Sequence, residues 1–160
     1  MSLGTERLRE EVASWPGISV HPHRFAAREY RFGKAEVGHI HFWGDVDIPF
    51  PRPLHDFLLG RHLAEQHRWV PDSGWTTFHM HGDSDVEHAV WLMRLSYLRY
   101  ALKSANSPSE LLETEAQRLH FGPDLIAILS RFIPAAAAPV ERVNVSAYGP
   151  AEIDIRRRRV

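Results

Sequence analysis

The amino-acid sequence predicts an α+β fold in which a small antiparallel sheet has helices packed on one face and is followed by a helical C-terminal extension. Short extended segments flank Gly33-Lys34, a pair typical of a tight hairpin turn. A long apolar pattern from Val86 to Lys103 predicts a helix that is buried on most sides. Two further helices are predicted, one at 108–120 and a shorter one that ends before Pro134, so helices dominate the second half of the chain.

The first third of the chain is predicted to hold one helix and several strands. The segment from Thr5 to Trp15 has its apolar residues on one stripe, which predicts a short amphipathic helix, and Pro16-Gly17 ends it. Extended patterns then predict neighbouring antiparallel strands at Val20–His23, Glu29–Phe32 and Ala35–Trp43.

The middle of the chain is predicted to contain a loop, a helix and a strand. The prolines between Asp47 and Pro53 predict an extended loop. Apolar residues at helical spacing then predict a helix from Leu54 to about Gln66. The alternation of residues 75–81 predicts the strand.

The start of the long helix carries a recognisable capping pattern. Ser84-x-x-Glu87 has the spacing of a capping box, so the helix is predicted to begin at Ser84. Apolar residues recur along one side of it at helical spacing. The residues predicted to lie in the core there are Val90, Met93 and Tyr97.

Bulk composition limits the number of domains and the classes of partner. With 160 residues and 44% apolar content the chain can bury one core, so we predict a single domain over 1–134 and a linker and tail over 135–160, with a candidate late strand at 143–147.

The absence of cysteine fits a reducing compartment, and a cytoplasmic location is expected. No apolar run is long enough to span a bilayer, which argues against a membrane partner. The net charge of −1 argues against a nucleic-acid partner, apart from the basic run Arg156–Arg159.

Two stretches share a pattern of histidine, glycine and aspartate. His39-Ile-His41 is followed by Gly44-Asp45, and His79-Met-His81 is followed by Gly82-Asp83. Because a strand projects alternate residues to the same side, each histidine pair is predicted to share one face. If the two strands lie close together in one sheet, the four imidazoles line a single, partly open face. The residues that alternate with them and are expected to face the core are Ile40, Phe42, Phe78 and Met80.

Several of these segments resemble a known family. The stretches that carry the resemblance, within residues 20–103, are Gly38-His-Ile-His41, the helix end with Gly60, Ala64 and His67, Pro71-Asp-Ser-Gly-Trp75 and Leu95-Ser-Tyr97. Together they resemble the luciferase-like domain shared by fungal luciferase and uncharacterised bacterial proteins. Residues 75–97 also resemble YjbR-like domains, which implies a small antiparallel sheet with helices on one side.

The resemblance implies a pocket on the open sheet face that binds a small, electron-rich aromatic molecule. In a cofactor-free oxygenase of this kind, a neutral histidine would remove an acidic proton from that molecule. Binding with and without turnover both fit the sequence. His67 alternatively caps the end of the second helix, and Trp75 alternatively packs in the core. The candidate ligand-binding residues are His39, His41, His67, Trp75, His79 and His81.

Two other classes of function fit the same chain. A metal ion could be held by His39 and His41 together with Asp45 and His79 or His81. We nevertheless predict neither a metal nor a cofactor. A histidine that binds a metal ion needs a hydrogen-bond partner for its second ring nitrogen, and the nearby aspartates would have to supply it. These aspartates follow strand ends and glycines, however, which is typical of turn residues. The other class is a non-enzymatic binding module, in which the arginine tail meets phosphate, nucleic acid or an acidic protein.

Overall fold

The computed structural model describes residues 2–135, which form one six-stranded antiparallel sheet and five helices. The predicted α+β class is confirmed. The strands are β1 (Ile18–Pro22), β2 (Arg28–Phe32), β3 (Ala35–Ile40), β4 (Asp45–Pro49), β5 (Glu65–Gln66) and β6 (Trp75–His79). The helices are α1 (Leu3–Ala13), α2 (Arg52–Gly60), α3 (Val86–Ser104), α4 (Pro108–Arg118) and α5 (Pro123–Ser130). None of the helices in residues 2–135 has the length and apolar character that a bilayer span requires.

The sheet is built largely from neighbours in sequence. Its strand order is β1-β2-β3-β4-β6-β5, so the first four strands form an antiparallel meander and β6 pairs with β4. The Gly33-Lys34 hairpin is confirmed, because Phe32 pairs with Ala35 across it. Gly33 has a φ of +61°, a conformation that glycine adopts without strain. The two-residue β5 forms the edge beyond β6.

The core lies between the sheet and the long helix α3. Met93 is fully buried and Tyr97 nearly so, as the sequence predicts, whereas Val90 is only partly buried against the core. On the sheet side, Val46 and Ile48 of β4 are buried against this helix layer. Helix α1 contacts α3 and the first two strands, so it covers the same face of the sheet.

The predicted loop over 47–53 is wrong, because its first residues belong to a strand at the centre of the sheet. Pro49 is the last residue of β4 and pairs with Trp75, where its missing N–H is tolerated at a strand end. Pro51 and Pro53 lie at the start of α2, where proline is also favourable. The prolines therefore mark the boundary between a strand and a helix rather than a loop.

The predicted second helix is too long at its C-terminal end. Helix α2 stops at Gly60, and His62 then has a φ of +55°, which breaks the helical path. The following residues Glu65 and Gln66 pair with β6 instead. His67 comes after this short strand, so its predicted role as a helix cap is wrong.

The start of α3 differs from the predicted capping box. A 3₁₀ turn at Asp83–Asp85 precedes the helix, which begins at Val86, and the Ser84 side chain makes no capping bond. The side chain of Asp85 is used instead: its Oδ2 accepts a hydrogen bond from the backbone N–H of His81 at 2.8 Å. Asp85 thereby ties the end of β6 to the beginning of α3.

The C-terminal helices lie close to their predicted positions, and α4 packs against α3 while α5 packs against α4 and α2. A buried carboxylate, Glu115 of α4, binds Arg94 of α3 through two hydrogen bonds of 2.9 and 2.8 Å. The predicted linker and tail, including the strand at 143–147 and the Arg156–Arg159 run, lie from residue 136 onward outside the described residues.

Candidate functional site

A cleft of about 730 Å³ lies on the sheet face opposite α3. We call it the histidine pocket. Side chains from the central strands and from the residue after β3 form its base: His39, His41, Asp45, Asp47, Thr77 and His79. The segments 23–25 and 65–69, together with Trp43, surround its opening.

Strand register brings the base residues together. His39 of β3 pairs with Asp47 of β4, and Asp47 pairs with Thr77 of β6. Directly paired residues project to the same side of an antiparallel sheet, so these three side chains form a row across it. Asp45 and His79 form a second pair on the same face, two residues away along each strand from Asp47 and Thr77. The alternation of histidine with buried apolar residues therefore places the polar side chains in the pocket.

Asp47 lies at the centre of the cluster. Its Oδ2 is 3.2 Å from Nε2 of His39 and 3.0 Å from Nε2 of His41, and its Oδ1 accepts a hydrogen bond from the Thr77 hydroxyl at 2.6 Å. Burial by itself would raise the pKa of this carboxyl group, but the hydrogen bonds from His39, His41 and Thr77 outweigh it and lower the pKa well below its ordinary value. Asp47 is therefore an anion in the folded protein.

His39 lies between two carboxylates. Its Nδ1 is 2.8 Å from Oε1 of Glu36, and its Nε2 faces Asp47. Burial would lower the pKa of this imidazole, but the hydrogen bonds with Asp47 and Glu36 prevail and raise the pKa to about 9. When nothing else is bound in the pocket, His39 is consequently a cation at neutral pH. The expected role of neutral base therefore does not fit this residue.

His41 and His67 approach Asp47 from different segments. The ring of His41 stacks on Trp43 with 4.4 Å between ring centroids, which fixes its orientation. Its buried Nδ1 has no hydrogen-bond partner within residues 2–135. His67 has its Nε2 3.7 Å from Oδ2 of Asp47, and its Nδ1 accepts a hydrogen bond from the backbone N–H of Trp69 at 3.1 Å.

Trp75 borders the histidine cluster. Its ring centroid is 5.4 Å from that of His39 and 6.2 Å from that of His67. The side chain is partly buried and lies beside the imidazoles rather than among the apolar residues of the core. Trp75 does not line the histidine pocket itself, so its role in ligand binding stays a prediction.

The second histidine pair is divided. His79 lines the pocket, and its Nδ1 is 2.8 Å from Oδ1 of Asp45, a hydrogen bond that raises the pKa of the imidazole. His81 lies beyond the last residue of β6, is exposed and does not line the pocket. Four of the six predicted residues thus line the pocket and Trp75 lies beside them, whereas the expectation that His81 joins them is wrong because the strand has already ended.

Aromatic side chains at the opening were not predicted. Phe25, Trp43 and Trp69 are exposed and line the pocket, and we call them the aromatic rim. Phe25 has a φ of +55°, which is unusual for a bulky residue. Phe42, which the alternation places in the core, is instead exposed beside Trp43 because β3 ends at Ile40. The Phe-Trp pair directly after His-x-His is the sequence signal that points to this rim.

Comparison with known proteins supports the family resemblance. Residues 34–96 match the model of the Luciferase domain family. The matched segment runs from the β2–β3 turn into α3 and contains every base residue of the histidine pocket. The resemblance to YjbR-like domains has no separate support and stays a prediction. No curated protein and no solved structure significantly matches the chain.

Proposed function

Taking the Luciferase-domain match of residues 34–96 as a premise, we propose that this protein binds a small planar aromatic molecule in the histidine pocket. The molecule carries a hydroxyl or carboxylate group that reaches the polar base. The observation that carries this proposal is the combination, in one cleft, of an exposed aromatic rim and a buried histidine–carboxylate cluster.

The rim supports an aromatic ligand. Large apolar side chains are usually buried, and exposed ones that line a single cleft indicate a binding surface. Trp69 has 79% of its surface exposed, and Trp43 has 49% exposed. Planar ligands stack favourably on such rings. The cleft volume of about 730 Å³ also lies within the range of pockets that hold small organic molecules.

The polar groups support a hydroxyl or carboxylate on that ligand. Arg24 and Arg68 line the pocket, and guanidinium groups bind carboxylates and phenolates strongly. His41 at the base and His67 nearer the opening present imidazole groups to the pocket, and imidazole is the side chain that most often acts as a general base. The cofactor-free oxygenation that the family resemblance implies would begin with loss of the hydroxyl proton to such a group.

Binding of 4-nitrophenol tests the proposal, because it is a planar phenol whose anion absorbs visible light. We expect saturable binding, seen as a change in its absorption spectrum and in tryptophan fluorescence. Trp69→Ala removes one stacking surface and should weaken binding roughly tenfold, which is the scale of one aromatic contact. Because this side chain is largely exposed, the variant should keep its fold.

Phe42→Ala is the matched control. Phe42 is an aromatic residue with 46% exposure, close to that of Trp43, but it does not line the pocket. This variant should bind 4-nitrophenol as the parent protein does. The proposal is wrong if the parent shows no saturable binding, or if Phe42→Ala weakens binding as much as Trp69→Ala.

A further inference from the structure

We propose that His39, His41 and Asp47 form a binding site for one divalent first-row transition-metal ion, such as zinc or iron, at the base of the histidine pocket. This inference goes beyond the proposed aromatic ligand and does not depend on it. It also departs from the sequence expectation of no metal. That expectation rested on Asp45 and Asp47 being turn residues, and both lie in β4.

The ligand atoms of the three side chains lie close enough together to bind the same metal ion. One nitrogen or oxygen of each lies within 4.8 Å of the others. The Oδ2 of Asp47 is 3.2 Å from Nε2 of His39 and 3.0 Å from Nε2 of His41. Ligand atoms bound about 2.0–2.2 Å from one ion lie roughly 2.8–3.6 Å apart in octahedral or tetrahedral geometry. Both distances to Asp47 lie within this range, so the two nitrogens and the carboxylate oxygen have separations that one ion could bridge.

Outer contacts orient two of the three ligands. His39 donates its Nδ1–H to Glu36 Oε1 at 2.8 Å, which leaves Nε2 as the ligand atom. Such a carboxylate–histidine contact is typical of metal-binding histidines. Asp47 is held in turn by the Thr77 hydroxyl on its other oxygen. These contacts provide a partner for the second ring nitrogen of His39 and for the second oxygen of the Asp47 carboxylate.

His41 completes the set in a different way. Its ring is fixed by stacking on Trp43, and its buried Nδ1 has no partner within residues 2–135. That nitrogen is free to carry the ring proton when Nε2 binds a metal ion. The proton that His39 holds on Nε2 would be released to solvent at the same time.

His67 is excluded from the ligand set by its hydrogen bond. A neutral histidine that binds metal through Nε2 carries its proton on Nδ1. The Nδ1 of His67 instead accepts a hydrogen bond from the backbone N–H of Trp69 at 3.1 Å. His67 therefore lies in the same pocket as the ligands, with its Nε2 3.7 Å from Oδ2 of Asp47, without being one of them.

Two histidines and one carboxylate on one side of an ion leave its other coordination positions open. Catalytic zinc sites and non-haem iron sites both keep such positions for water or substrate. Here the open side faces the cleft that the aromatic rim surrounds. A hydroxyl or carboxylate oxygen of a bound ligand would be placed to fill one of them.

Metal titration of the full chain, prepared without a histidine tag and stripped by a chelator, tests the inference. Calorimetry with zinc chloride should show about one equivalent bound. Cobalt(II) should give visible absorption bands that report its coordination. Asp47→Asn and His41→Ala should each weaken zinc binding at least tenfold. Glu36→Gln, which changes only the outer contact of His39, should weaken it roughly 10–100-fold.

His81→Ala is the matched control, because it removes an exposed histidine that does not line the pocket and should leave zinc binding unchanged. A second cluster, formed by His23, Glu36 and His39, also has ligand-like separations. His23→Ala should leave binding unchanged if the proposed set is right. Circular dichroism and thermal unfolding check that each variant is folded.

Three results would overturn the inference. They are no stoichiometric zinc binding, unchanged binding in folded Asp47→Asn, and loss of binding in His23→Ala with retention in His41→Ala. The 4-nitrophenol experiment is done separately on metal-free protein. Failure of the metal site and failure of the aromatic ligand proposal are thereby distinguished.

Discussion

Glu115→Gln should destabilise the protein by about 3–5 kcal/mol, the usual cost of removing one partner from a buried ion pair. Glu115 is buried between α3 and α4 and accepts two hydrogen bonds from Arg94 and one from Arg118. The glutamine leaves the Arg94 guanidinium largely buried without its counter-charge. Urea denaturation at neutral pH measures the loss of unfolding free energy.

The same pair should make stability depend on pH. Burial would raise the pKa of Glu115, but its hydrogen bonds with Arg94 and Arg118 outweigh burial and lower the pKa below the ordinary value of 4.5. A group whose pKa is lower in the folded state stabilises the protein above its unfolded value, and this contribution is lost as the pH falls through the folded value. The difference between parent and Glu115→Gln should therefore shrink as the pH falls below 4.5.

Glu113→Gln is the control for both measurements. Glu113 lies on the same helix but is exposed, so its replacement should change stability by less than about 0.5 kcal/mol. A loss in Glu115→Gln as small as that of Glu113→Gln would show that the buried pair does not stabilise the contact between α3 and α4.

Local signals explain which elements could be predicted from the sequence. The periodicity of α3 and the Gly33-Lys34 turn depend on residues close together in the chain, and both were correct. The start of α3 was missed because Asp85, rather than Ser84, makes the stabilising contact, and its partner is the backbone of His81. A capping pattern does not reveal which of several polar residues is used.

Strand β4 was missed because its evidence is non-local. Its prolines argue for a loop when the segment is considered alone. Its pairing with β6 joins Asp47 to Thr77, thirty positions along the chain, and only this pairing makes the segment a central strand. Because β4 was not predicted, Asp47 was not predicted as a site residue either. An aspartate that follows a glycine is more often part of a turn.

Alternation along a strand predicts which side chains share a face, and it predicts no more of the candidate site than that. His39 and His41 share a face for that reason, and the register of β4 with β6 adds His79. The charge of His39 could not be predicted, since it depends on two carboxylates that only the folded sheet brings near. The aromatic rim comes from irregular segments, where sequence pattern gives little information about direction.

Met93→Ala should destabilise the protein by about 2–5 kcal/mol, because Met93 is fully buried and its removal leaves a cavity between α3 and the sheet. Chemical denaturation measures the change. Glu87→Ala, at an exposed position of the same helix, should change stability by less than about 0.5 kcal/mol. A loss in Met93→Ala below that value would refute its place in the core.

Met93 also supports the strand that carries the histidines, and a double-mutant cycle with Gly38 tests this. A Cβ added at Gly38 would lie 2.9 Å from Sδ of Met93 and 2.9 Å from the backbone oxygen of Asp47. Gly38→Ala should therefore cost less in the Met93→Ala background, by about 0.5 kcal/mol or more, because one of the two close contacts is gone. The contact with the Asp47 backbone remains, so the cost should not vanish. Strict additivity would mean that the helix does not restrain β3 beside His39.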